Sequence, residues 1–187
     1  MSSNSTSEQY GLTAQRYHWL SAILIISMIP LGFLMQNAES EATKMVLYRA
    51  HVIVGVLILL ITIARALWRK KDINPDPPKE LHGLHLKAFN AIHMLLYLFT
   101  FILAFSGIGT VVASGIADIL SGNSVHQLPT DLSELGVRRA HGLSARLYIV
   151  LLIGHIGGVV FHQYTKSDVF SRMGINYFKT KDQTLGK

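Results

Sequence analysis

The chain has 187 residues, half of them apolar and only 15% charged, with a net charge of +6 and no cysteine. A soluble domain carries about a quarter charged residues, so this low charge with a positive mean hydropathy places the chain in a bilayer. The lack of cysteine excludes disulfides, thiolate-held iron–sulfur clusters, covalent c-type haem and thiolate zinc sites. Nine histidines remain as candidate metal ligands, and the positive charge reads as membrane topology rather than nucleic-acid binding.

Four runs reach the roughly 20 apolar residues needed to span a bilayer. Residues 1–15 form a polar tail, expected to be mobile, without the basic start and small-residue cleavage site of a signal peptide. The first span is predicted over residues 17–36, with Pro30 a candidate kink. After a short polar loop to Lys44, the second span covers residues 46–68. The linker 69–84 is basic and carries Pro75, Pro77 and Pro78, which predicts an extended surface loop. A third span, residues 86–113, precedes a loop broken by Gly115, Gly122, Asn123 and Pro129. The fourth span begins near Arg138 and ends near His162, and a basic tail over residues 175–187 closes the chain. The fold class is therefore all-α, an integral membrane four-helix bundle, with its domain at residues 16–174.

Lysine and arginine orient the spans. The N-terminal segment, residues 69–87 and the tail hold Arg16, Arg69, Lys70, Lys71, Lys79, Lys87, Lys166, Arg172, Lys179, Lys181 and Lys187. The opposite side offers only Lys44, Arg49, Arg138 and Arg139. The positive-inside rule then puts both termini and the middle linker in the cytoplasm.

The fourth span carries a stripe of histidines. His141 and His155 are fourteen residues apart, about 21 Å along a helix axis and within about 40° of the same face. Ionisable groups inside a membrane are costly and therefore functional candidates. Depth supplies their partners: His51 opens the second span on the outer side, level with His141, and His18 opens the first on the inner side, level with His155. Two imidazoles on facing helices are what a low-spin b haem requires, so these four histidines are expected to hold two haems b. Taken singly, each is more readily read as a hydrogen-bonded residue joining helices; the matched set of four is what points to ligation.

Gly55, one turn after His51, and Gly154, Gly157 and Gly158 around His155 give room for a macrocycle, although close helix packing uses the same residues. Arg65 and Arg146 lie inside spans that contain no Asp or Glu, where haem propionates could serve as their anions; snorkelling to headgroups is the alternative. His82 and His85 in the linker and His126 in the outer loop read as solvated. His93 and His162, near the inner edge, could hydrogen-bond and protonate a quinone or have no ligand at all. A histidine-lined metal or proton transporter would call for acidic residues in the spans, and there are none.

These residues resemble the bacterial cytochrome b561 family, dihaem four-helix membrane proteins related to the b subunits of hydrogenases and formate dehydrogenases. The resemblance covers nearly all of residues 16–174. It rests on His18 with Trp19; His51 with Gly55 and Arg65; His93 with Tyr97 and Gly107; and His141, His155, His162, Asp168, Arg172 and Met173. Ala104 and Gly142 depart from the pattern, standing where a proline and an acidic residue are usual. The resemblance places the haem ligands on His18, His51, His141 and His155. It also implies a superoxide oxidase-like activity, with superoxide giving electrons at the outer haem and ubiquinone, facing His93 and His162, taking them. Arg49, Arg138 and Arg139 beside His51 and His141 could steer a small anion inward, or pair with propionates or lipid phosphates. The alternative function is an electron carrier linking the quinone pool to a dehydrogenase or a c-type cytochrome.

Overall fold

A computed structural model of the chain describes residues 2–78, 81–123, 128–129, 131–165 and 168–175. The described residues form helices and connections only. In order these are α1 (Leu12–Asn37), α2 (Glu41–Lys71), α3 (Gly83–Ala113), α4 (Ile116–Ser121), α5 (Gly136–Thr165) and α6 (Val169–Arg172). By length and composition α1, α2, α3 and α5 can each cross a membrane. His126, Lys79, Lys166 and the basic tail beyond residue 175 lie outside the described residues.

The burial pattern is that of a protein in lipid. Ile23, Phe33, Val46, Val150 and Ile153 are exposed, while Gln15, Ser21, Thr62, Thr100, Thr110, Ser144 and Gln163 are buried. Where lipid is as apolar as leucine, nothing drives aliphatic side chains inward, and small or polar residues take the helix contacts. Their hydroxyls are satisfied locally: Thr62 donates to the Ile58 carbonyl at 2.7 Å and Thr110 to that of Ser106 at 2.8 Å.

The helices start earlier than the apolar runs. Helix α1 begins at Leu12 and continues through Pro30. Helix α2 begins at Glu41 because Ser40 caps it, its carbonyl accepting the Lys44 N–H at 2.8 Å. Hydropathy marks the lipid-facing length, whereas backbone hydrogen bonding carries a helix into the polar margin.

The chain divides into two compact units. The first takes its described residues from Met1–Trp19, Ile63–Leu96 and Val150–Lys187, and the second from Leu20–Thr62 and Tyr97–Ile149. Each therefore contains a section of all four long helices.

In the second unit α4 corrects the expected irregular loop. The glycines do break the chain, with φ of 72° at Gly115 and 80° at Gly122, values that favour glycine. Between them a short helix buries Ile116 and Ile119 with Leu128, against Met45, Tyr48, Val111, Leu120 and Leu132.

In the first unit the N-terminal segment is not a free tail but a strap. Tyr10 N–H donates to the Arg172 carbonyl at 3.1 Å, Asp76 N–H to that of Ser7 at 2.9 Å, and the Gln9 amide to that of Ser171 at 2.9 Å. The Arg172 guanidinium also reaches the Asp76 carbonyl. Gly11 permits the strap to fold back, since a Cβ there would lie 2.3 Å from the Asn4 backbone. The proline linker is correspondingly covered in part, with Pro75, Pro78 and Leu81 buried.

Asp72 anchors the strap. Its carboxylate accepts from the Ser5 hydroxyl at 2.6 Å, the Ser5 N–H at 3.0 Å and the Trp68 indole at 3.1 Å. Desolvation raises its pKa, but these donors outweigh it and hold the group below its ordinary 3.8. A depressed carboxyl pKa stabilises the fold above the unfolded value, and that contribution is lost as pH falls through the folded one. The protection of the Ser5 amide, relative to an unstructured chain at the same pH, is therefore expected to be high at neutral pH and to fall below about pH 4. Asp72→Asn should lower that protection at every pH; protection unchanged in the variant would show that Asp72 does not anchor the strap.

Candidate haem-binding sites

In the second unit the His51 ring from α2 faces the His141 ring from α5, with centroids 6.2 Å apart and planes at 70°. His141 Nδ1 lies 3.0 Å from the Leu103 carbonyl and 3.1 Å from the Ser106 hydroxyl. A carbonyl only accepts, so Nδ1 carries the proton and Nε2 is left with its lone pair. An outer partner of this kind orients metal-ligating histidines. Helix α3 can come this close because residue 107 is glycine: a Cβ there would sit 3.2 Å from His141 Cε1. On the other side Gly32 of α1 approaches His51, its absent Cβ 3.9 Å from Cε1. His51 Nδ1 is buried without a hydrogen-bond partner among the described residues.

The first unit holds the other pair. His18 of α1 and His155 of α5 have ring centroids 6.4 Å apart and planes at 62°. The Arg65 guanidinium lies 3.1 Å from His18 Nδ1. His93 joins this group, its ring 5.2 Å from His155 at 86° and its Nδ1 2.6 Å from the Phe89 carbonyl. His162 has other neighbours, with ring centroids 6.4 Å from His85 and 5.4 Å from Phe161. His85 is exposed as expected, but it sits in the first turn of α3 rather than in the linker.

The remaining candidates separate. Gly55 approaches Met28, its absent Cβ 3.8 Å from Cε, and Gly154 approaches Ile92 at 3.5 Å, whereas Gly157 and Gly158 meet nothing within 4 Å. The first two serve helix packing in this conformation. Arg49 donates through Nε to the Leu120 carbonyl at 3.1 Å, tying α2 to α4. Arg138 is near enough to His51 and His141 to act on both electrostatically. Its guanidinium passes 3.2 Å from where a Gly142 Cβ would be, so glycine there clears its path. Arg139 and Arg146 are exposed.

Sequence reasoning assigned no role to Ser106 or to the Leu103 carbonyl, and used Gly107 only as part of a pattern. Their roles depend on the rotation of α3 against α5; the small-residue run Ser106-Gly107-Ile108-Gly109 was the available signal.

The donor sets fit haem. A metal–imidazole bond is about 2 Å, so two imidazoles on opposite sides of one metal have centroids a little over about 6 Å apart, and both pairs meet this. Paired imidazoles on facing apolar helices are the ligand arrangement of a membrane cytochrome b. The family described as prokaryotic cytochrome b561 matches residues 9–174, and the chain belongs to that family. It is 28% identical to cytochrome b561 homolog 2 of Escherichia coli (strain K12) over 185 residues, 92% of this chain and 95% of that one. Cytochrome b561 homolog 1 of the same organism is 22% identical over 167 residues, 86% of this chain and 93% of the relative. Membership makes this a multi-pass membrane electron-transfer protein with b-type haem.

Proposed function

We propose that the protein is a two-haem cytochrome of the bacterial inner membrane that oxidises superoxide at one face and reduces ubiquinone at the other. His51 and His141 hold one haem b, and His18 and His155 hold the second. Bound haem supplies a reversible one-electron iron couple. Both termini and the 69–84 linker face the cytoplasm, following the lysine and arginine bias. The observation that carries the two-haem reading is the pair of facing imidazole sets, at 6.2 Å and 6.4 Å.

The overall reaction takes two superoxide anions, one quinone and two protons to two dioxygen molecules and one quinol. Superoxide loses one electron and breaks no bond, so the outer end needs no general base. It needs positive potential, which Arg138 provides beside His51 and His141, with Arg49 and Arg139 at the rim. At the cytoplasmic end the quinone carbonyl oxygens need hydrogen-bond donors and, on reduction, protons. His93 and His162 serve that purpose, and with His93 Nδ1 engaged by the Phe89 carbonyl, Nε2 is its nitrogen for the quinone.

One observation favours the carrier reading. The second unit also contains Glu39, Glu41, Asp118, Asp131 and Glu134, against Lys44, Arg49, Arg138 and Arg139 outside its helix interior. That rim has no net positive charge, and its mixed surface suits a docked redox protein. Stopped-flow mixing with superoxide decides between the two. The superoxide oxidase reading expects fast haem reduction, slowed at least about tenfold in Arg138→Ala with weakened salt dependence. No fast reduction of the unaltered protein would assign the chain to the carrier role.

A further inference from the structure

The geometry points to a second kind of metal site in the first unit: His85 and His162 together bind a divalent transition-metal ion of the zinc and copper class. The two residues come from different helices, His85 from the first turn of α3 and His162 from the last turn of α5. Their ring centroids are 6.4 Å apart with planes at 89°, within the reach of two imidazoles sharing one metal. His162 Nδ1 is buried and has no hydrogen-bond partner among the described residues, and an unpaired buried nitrogen is costly. A metal ion would take its lone pair. His85 is exposed, so water can complete the coordination sphere.

The donor chemistry sets the class of ion. Imidazole suits zinc, copper and nickel, whereas magnesium and calcium require oxygen ligands. With two protein ligands the site is an accessible regulatory one rather than a structural one, since structural zinc is held by four. A bound ion would tie α3 to α5 and occupy the His162 ring. Inhibition of turnover by such an ion rests on His162 serving the quinone, as proposed above; binding itself does not.

The test uses the haem-loaded, detergent-purified protein without a polyhistidine tag. It is titrated with Cu²⁺ and read by electron paramagnetic resonance for nitrogen hyperfine structure, with Zn²⁺ and Mg²⁺ as competitors. The expected result is one Cu²⁺ per chain with two nitrogen ligands, displaced by Zn²⁺ and not by Mg²⁺. His85→Ala and His162→Gln should each weaken binding at least tenfold, and His82→Ala should not. Because His85 is exposed, its variant keeps the fold, and unchanged haem absorbance in it verifies this. Unaltered Cu²⁺ binding in His85→Ala, loss on His82→Ala instead, or a single nitrogen ligand would overturn the site.

Discussion

His51→Ala is expected to lower haem b from two per chain to one, and His18→Ala to do the same at the other pair. Each substitution leaves a single imidazole where a low-spin haem needs two. The ratio of pyridine haemochrome to protein measures it, and the double variant should retain almost none. Two haems per chain in both single variants would refute the pairing of His51 with His141 and His18 with His155. The unaltered protein must first show a b-type α band on dithionite reduction.

Gly107→Val should have nearly the effect of His51→Ala without touching a ligand. The added Cβ would lie 3.2 Å from His141 Cε1, closer than a carbon contact of about 3.5–4.0 Å, and the two methyls add to the crowding. His141 cannot retreat cheaply, because its Nδ1 is held by the Leu103 carbonyl and the Ser106 hydroxyl. The expected result is one haem per chain, with no further loss when Gly107→Val is combined with His51→Ala, since both act on one site. Two haems and an unchanged spectrum in Gly107→Val would mean that α3 does not set the His141 ring.

The histidine depths were legible because depth in a membrane is a one-dimensional property. An apolar run of sufficient length marks a span, and lysine and arginine mark its ends, so counting residues from either end ranks His18, His51, His141 and His155. Helical periodicity adds which residues share a face, which is why His141 and His155 could be read as one stripe. Neither count says which neighbouring helix that stripe meets, or at what rotation. Depth ranks His93 and His162 together at the inner edge, and the structure adds the ring neighbours of each, His155 for His93 and His85 for His162. The N-terminal strap was missed for a related reason: a polar stretch is expected to stay in solvent, yet Ser5 meets Asp72 across 67 residues of sequence.

By itself, the sequence determined a membrane chain with four spans and four histidines in two matched pairs. Hydropathy and helix rise are local or additive quantities, and local order is enough to specify them. Tertiary structure decided the lateral arrangement: Gly107 opening α3 to His141, Leu103 and Ser106 orienting that ring, α4 packed as a helix, and the strap anchored on Asp72. These depend on the rotation and close approach of separate segments, which side-chain volume and hydrogen-bond partners settle only once the chain has folded.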